Sequence, residues 1–440
     1  MRLTQHRRIF APIALAAIGA LALVGCSGGP GSVASTAGAA GDGTVSIYGT
    51  ISGDEAVLLQ QSWDGWAAEN GITIQYEASQ QFESQIGVRA QGGTPPDIAI
   101  FPQPGLMADL ASRDYIKPAP AEVVDNVTNG WSEDWKAYGT VGDTLYGAPL
   151  MASVKGFIWY SPAKFAEWGV SVPTTWAEMM TLTQTLQEKT GTPPWCAGFG
   201  SGDASGWPGT DWIEDAVLRQ SGPDVYDQWV NNEIPFTDPR IADAFTAVGE
   251  ILLNPAYTNA TFGDVTSINS VPFGDVAAPI SAGTCAMTHQ ASFFDGFINS
   301  AGGEVSPTGD VWAFVTPQIT AGSGQAVTGG GEIVAAFSDD LDTQKVQAYL
   351  SSSEWANTRV ALGGVISANT GLDPANATSP ILQEAIGILQ DPTTTFRFDA
   401  SDLMPGVVGV GTFFRGMTNW VNGTPQADVL TAIEAGWPSS

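Results

Sequence analysis

Fifteen tryptophans stand in a chain of 440 residues, and several fall in glycine- and proline-rich segments instead of helix interiors. The clearest run is Ser201-Gly202-Asp203-Ala204-Ser205-Gly206-Trp207-Pro208-Gly209-Thr210-Asp211-Trp212. An indole face can cover the C–H side of a sugar ring, while a nearby carboxylate accepts hydrogen bonds from its hydroxyls. Trp207, set between glycine and proline, fits such a ligand contact. Trp212 and Asp211 fit equally a helix-packing residue and its N-cap. Signatures of reaction chemistry are sparse. G-x-x-x-x-G-K-[ST] and H-E-x-x-H do not occur, G-x-S-x-G does not occur beyond the N-terminal segment, and Gly409-Val410-Gly411 lacks the third glycine of a dinucleotide fingerprint. His289 is the one histidine beyond the N-terminal segment, so a Ser-His-Asp or metal-bridged enzyme would have to use it. The 45 acidic residues leave a paired-carboxylate glycoside hydrolase open without singling out a pair.

Only 14% of residues are charged, yet 45 acidic against 16 basic side chains give a net charge of −29. A body of that sign repels phosphate backbones and anionic lipid, which excludes nucleic acid and a membrane face as partners of the folded part. With 43% hydrophobic and 10% aromatic residues, the chain is too apolar for disorder, and its length suits two or three domains. Arg2, Arg7 and Arg8 precede a weakly polar run from Ile9 to Gly25, which closes as Leu23-Val24-Gly25-Cys26. A basic start and an apolar run read as an export signal over 1–25. Its end resembles the lipobox of bacterial lipoproteins, with Cys26 lipidated and first in the mature chain. Residues 26–43, rich in Gly, Ser and Ala, read as a flexible tether. Later stretches fall short of the roughly 18 to 20 apolar residues of a membrane span. The body is therefore expected on the outer face of the cell membrane, in a periplasm or cell-wall space, held only by its N-terminal lipid. Cys196 and Cys285 remain as a pair, expected to be joined in an exported protein, with two buried thiols as the alternative. Two cysteines and one histidine do not make a structural zinc site, and neither metal nor cofactor is expected.

Side chains of this kind need a frame, and the pattern alternates strand with helix. Thr44-Val45-Ser46-Ile47-Tyr48 has period-two alternation. Ser52 and Glu55 have capping-box spacing before a helix that carries Leu59, Trp63, Trp66 and Ala67 on one face. Strands at 72–76 and 97–101 flank a helix near 81–91, so parallel βαβ units are predicted and the fold class is α/β. Phe157 to Tyr160 reads as a buried strand. Thr175 and Glu178 form a second capping-box pattern, whose helix turns Trp176, Met179, Met180 and Leu186 inward. Further strands are predicted at 195–199, 284–288 and 311–315, and a helix start at Asp211 and Glu214. Parallel sheets hold ligands beyond the carboxyl ends of their strands, where the Trp207 segment follows the 195–199 strand.

Two groups of motifs carry a family resemblance. The first is Asp143-Thr144-Leu145-Tyr146-Gly147-Ala148-Pro149, Trp159-Tyr160-Ser161-Pro162, Gly169 and Pro173 to Glu178. With these the chain resembles the extracellular solute-binding proteins of carbohydrate ABC transporters, which are maltose-binding-protein-like. The second group is Pro194-Trp195-Cys196, Gly206 to Asp215, Val225 to Val230, Thr284 to Phe293 and Asp399 to Pro405, and it is similar to the alpha-glucoside-binding branch. The likeness runs from about Thr44 to Trp437.

The resemblance implies a two-lobed periplasmic-binding-protein fold of type II, each lobe a mostly parallel sheet flanked by helices. One lobe would take 44–154 and 318–362, the other 155–317 and 363–440, with three crossings as the hinge. It implies a monomeric receptor, not an enzyme, that closes on a sugar and presents it to permease subunits and their ATPase. On matching positions, the first lobe would contribute Asp54, Glu55 and Gln103, with Gly330 in the run Gly329 to Glu332 letting backbone approach the sugar. The second would contribute Asp203, Trp207, Asp211, Trp212, Gln290, Ser292 and Phe293, and the C-terminal segment Asp402, Met404 and Phe414. Ser161 stands where the family often has Asn, and Phe414 where Trp is common, a smaller stacking surface. A cleft with few Lys and Arg is suited to a neutral ligand. The expected ligand is an alpha-linked gluco-oligosaccharide, foremost a disaccharide. A polyol, a glucosylated osmolyte or a beta-linked sugar is the alternative within the same receptor, and a secreted hydrolase using an Asp/Glu pair is the alternative of another class.

Overall fold

The computed structural model describes residues 40–438, apart from 260, 320, 321, 323 and 392. The export signal and Cys26 lie outside the described residues. Eleven strands are defined among them: β1 (Thr44–Gly49), β2 (Thr73–Ala78), β3 (Ile98–Phe101), β4 (Thr140–Val141), β5 (Thr144–Leu145), β6 (Gly147–Val154), β7 (Phe157–Tyr160), β8 (Met287–Gln290), β9 (Trp312–Val315), β10 (Ala326–Ala336) and β11 (Thr395–Phe398). The larger sheet has the order β11-β10-β3-β1-β2, with β6 on β10, and the smaller has the order β8-β7-β9.

Alternation of strand and helix builds the start of the larger sheet as the sequence suggests. β1 pairs in parallel with β2 and with β3, and the helices Gly53–Asn70 and Phe82–Gln91 make the two connections. Leu59, Trp63 and Ala67 are buried under the sheet, and Trp66 stacks on Tyr349 with ring centroids 4.3 Å apart. Gly71, at φ 68°, ends that helix in the left-handed conformation that costs glycine no Cβ clash. The capping box at Ser52 does not form: Ser52 makes no side-chain cap bond, and Glu55 lines the cavity described below. The box at Thr175 does form, with Glu178 N–H donating to Thr175 Oγ1 at 3.2 Å.

Three local expectations need correction. The smaller sheet is antiparallel in both pairings, not mostly parallel, because its central strand β7 runs against both neighbours. In the larger sheet β10 also runs antiparallel to β3 and β6. Residues 195–199 form no strand. Their N–H groups are satisfied by three separate segments, Trp195 by the Tyr257 carbonyl, Cys196 by Met287 and Phe199 by Ile268, at 2.8, 3.0 and 2.7 Å. Finally, the helix predicted from Asp211 begins at Trp207, where Pro208 supplies a preset φ in the first turn and loses no needed donor. Asp211 and Glu214 are thereby interior to it.

The chain passes from the larger sheet to the smaller at Lys155-Gly156 and returns between Val315 and Ala326. β11 still pairs with β10, in parallel. By sheet membership the last passage therefore follows Phe398, later than the 363 expected. No helix among the described residues is long and apolar enough to cross a membrane. Cys196 and Cys285 form a disulfide that closes a separation of 89 residues. Cross-linking a loop of that length removes many conformations from the unfolded chain. The double variant Cys196→Ala/Cys285→Ala is expected to lose about 2–5 kcal/mol in denaturant unfolding, and an unchanged midpoint would contradict the structural role.

Candidate functional site

A cavity of about 940 Å³ opens between the two sheets and is walled by two different chemistries. Aromatic rings form one wall. Trp207, at the first position of the Trp207–Ser221 helix, meets Phe273 edge-to-face at 5.0 Å and Phe293 at 6.0 Å, and Phe273 meets Phe297 at 5.1 Å. All four rings are half-buried and line the cavity, so each keeps part of a face for a ligand. Mutual edge-to-face packing holds the rings in place before anything binds.

Carboxylates and one guanidinium form the opposite wall. Glu55 comes from the first turn of the Gly53–Asn70 helix, Glu332 from β10, and Arg359 from the Ser353–Ala361 helix. Burial, with the charge of Glu55 beside it, pushes the Glu332 carboxyl up to about 7, while Arg359 and Lys155 pull the other way. Burial raises Glu55 as well, against the pull of Arg359. Arg359 Nη1 donates to the Gly363 carbonyl at 2.8 Å, which fixes the guanidinium behind the two acids. Hydroxyl groups are the natural guests of such a wall, since a carboxylate accepts and a guanidinium donates.

The floor is a buried ion-pair network. Lys155 Nζ lies 2.9 Å from Asp211 Oδ1 and 2.6 Å from Asp399 Oδ2, and 4.8 Å from the Trp207 ring centroid. Burial works against this ammonium, but Asp211, Asp399 and Asp402 outweigh it and hold its pKa well above the ordinary value. Burial and the neighbouring Asp399 push Asp211 up to about 8, although Lys155 opposes them. Asp211, Glu214 and Asp399 converge closely enough to hold a cation, and the Lys155 ammonium is the cation already among them.

Of the residues expected at the ligand, Asp54, Glu55, Gln103, Trp207, Asp211, Phe293, Gly330, Asp402 and Phe414 line this cavity. Five do not. Trp212 is a core residue, stacked on His289 at 4.4 Å and edge-on to Trp195 at 5.2 Å, because the earlier helix start turns it inward. Gln290 and Ser292 are buried, the first paired with Phe157 in the sheet and the second accepting the Val154 N–H at 3.2 Å. Met404 is buried, with its carbonyl against Gly105. Asp203 sits at the mouth, where its N–H donates to the Gln80 carbonyl at 3.0 Å and its carboxylate accepts the Ser84 hydroxyl. Gly330 and Gly331 line the cavity, and the run has a packing role as well. A Cβ on Gly331 would fall 2.3 Å from the Met151 carbonyl, so these glycines admit β6 beside β10.

Lys155, Phe273, Phe297, Glu332 and Arg359 were not foreseen as site residues. Glu332 closes the glycine run and was within reach of that signal. Phe297 lies one helical turn after Phe293. Lys155 and Arg359 carry no local pattern, since distant segments bring them to the cleft.

Residues 52–356 match the family described as bacterial extracellular solute-binding protein. The chain belongs to this family. It is 36% identical over 398 residues to the osmoprotective compounds-binding protein GgtB of Synechocystis sp., covering 90% of this chain and 92% of the relative. It is 34% identical over 411 residues to the alpha-glucosides-binding periplasmic protein AglE of Rhizobium meliloti, covering 90% and 87%. Among solved structures, a chitin oligosaccharide binding protein superposes with a TM-score of 0.75 at 20% identity, covering 89% of this chain and 97% of the other. Maltose-bound MalE3 of T. maritima gives 0.68 at 14%, covering 89% and 98%. The fold is the two-lobed, type II periplasmic-binding-protein fold, with mixed α/β content.

Removing one partner from a buried ion pair leaves an uncompensated charge, which is costlier than the pair itself. Lys155→Met is therefore expected to lose about 3–5 kcal/mol of unfolding free energy near pH 8. Asp211 already has a folded pKa raised above its unfolded value, so the folded chain holds a proton that the unfolded one releases. Loss of Lys155 raises that pKa further, and the deficit must shrink as pH falls toward 5. A deficit independent of pH would contradict the charge explanation.

Proposed function

We propose that this extracellular solute-binding protein captures a neutral alpha-glucoside, a disaccharide, short oligosaccharide or glucosylated polyol, and delivers it unchanged to the permease and ATPase of an ABC importer. The observation that carries this reading is the pairing, across one cleft, of the Trp207 aromatic wall with the Glu55–Glu332 carboxylate wall. A pyranose has apolar faces and a polar rim of hydroxyls, and the two walls match those two surfaces. An anionic ligand would have to compete with these acids for Arg359. The relatives named for alpha-glucosides and for osmoprotective compounds favour this ligand class over other sugars. Export with a lipid on Cys26 would keep the receptor beside its transporter, and a stable hold needs more than one acyl chain. The mass of the mature N-terminus distinguishes an acylated from a free cysteine.

Tryptophan fluorescence titration against glucosylglycerol, maltose, sucrose, trehalose and cellobiose tests the ligand class. Saturable binding of an alpha-glucoside, with the sugar recovered intact, is expected. Trp207→Ala should weaken it by about 2 kcal/mol, roughly thirtyfold, as truncation of a central aromatic contact does. Release of glucose, or an unchanged affinity in Trp207→Ala, would contradict the proposal.

A further inference from the structure

One stripe of one helix runs from the cleft to all three crossings between the lobes. Trp207, Asp211, Asp215 and Arg219 recur every four residues along the Trp207–Ser221 helix and so share a face. Trp207 stands in the cleft. One turn on, Asp211 binds Lys155 of the first crossing, and the same ammonium holds Asp399 of the third.

The next turn reaches the second crossing. Asp215 accepts the Thr328 hydroxyl at 2.6 Å, just inside β10, and lies so close to Gly156 of the first crossing that a Cβ there would fall 2.1 Å from its Oδ2. Arg219 completes the series. Its Nη1 is 2.6 Å from Asp215 Oδ1, and its Nε donates to the Thr316 carbonyl at 2.9 Å. Thr316 in turn donates to the Gly156 carbonyl, N–H at 2.6 Å and hydroxyl at 2.9 Å, joining the first crossing to the second.

Buried ionic groups are poor sources of stability compared with apolar packing, and their best use is to fix one arrangement among several. Asp215 has more partners than pairing alone requires: Arg219, Thr328 and, at 2.9 Å, His289 Nε2. The arrangement it fixes is one with the cleft mouth joined, since Asp203 meets Gln80, and Ser300 Oγ donates to Asp54 Oδ2 at 3.3 Å, across the opening.

We propose that Asp215, through Thr328 and Gly156, is a positioning residue that sets the hinge, on the same helix face whose first member receives the sugar. The inference rests on the receptor reading above. A single helix then carries both the ligand platform and the ties to the crossings, so sugar on Trp207 and the joined arrangement favour each other.

The test separates the Thr328 hydroxyl from its packing. Thr328→Val deletes the hydroxyl and keeps the shape, whereas Thr328→Ser keeps the hydroxyl and loses a methyl. Both are expected to lower the melting temperature. Only Thr328→Val should enlarge the ligand-free radius of gyration in small-angle scattering, and only it should weaken sugar binding, by roughly fivefold to tenfold. Equal radii and equal affinities in the two variants would overturn the proposal. If Thr328→Val does not fold, Thr328→Ala, which deletes the same hydroxyl bond to Asp215, supplies the comparison against Thr328→Ser. Scattering without sugar reads the hinge independently, so wild-type protein that binds no sugar would count against the receptor reading and leave this comparison standing.

Discussion

Lys155 brings one ammonium to the buried carboxylates Asp211, Asp399 and Asp402, and the geometry of the cleft depends on that imbalance. Its two ion pairs tie the first crossing to the helix that presents Trp207 and to the residue that follows β11. Charges buried in this way are stable only while paired, so the segments that carry them are held in one register. The aromatic wall stands directly above, with the ammonium 4.8 Å from the Trp207 ring. Floor and wall are parts of one construction.

That construction suits the ligand proposed for the cleft. Hydroxyls can satisfy Glu55 and Glu332 without adding charge, and ring faces can cover the half-buried aromatics. A carboxylate or phosphate would have to compete for Arg359 with Glu55 and Glu332, and for Lys155 with Asp211 and Asp399. Two contacts already join the mouth of the cleft, the Asp203 N–H to the Gln80 carbonyl and the Ser84 hydroxyl to the Asp203 carboxylate.

Much of this was legible in the sequence where the signal was local. Trp207 stood out because glycine and proline on either side argued against a core role. Trp212, five residues on, had the same composition around it and is core, because the helix starts four residues earlier than its acidic residues suggest. Parallel pairing of β1, β2 and β3 followed from strands separated by helices. The antiparallel smaller sheet did not, since the direction of β7 is set by the crossing that delivers it. Lys155 and Arg359 were silent for the same reason: Lys155 lies 56 residues from Asp211, and the carboxylates beside Arg359 come from other elements, so no local spacing rule links them. Glu55 had a local explanation, the capping box, that the long-range environment overrides.

The most direct measurement is a crystal structure with the tightest-binding alpha-glucoside of the panel. The central claim predicts a pyranose face on Trp207 and sugar hydroxyls within hydrogen-bond distance of Glu55 or Glu332. A sugar bound away from both walls, or one whose charged substituent sits on Lys155, would contradict it.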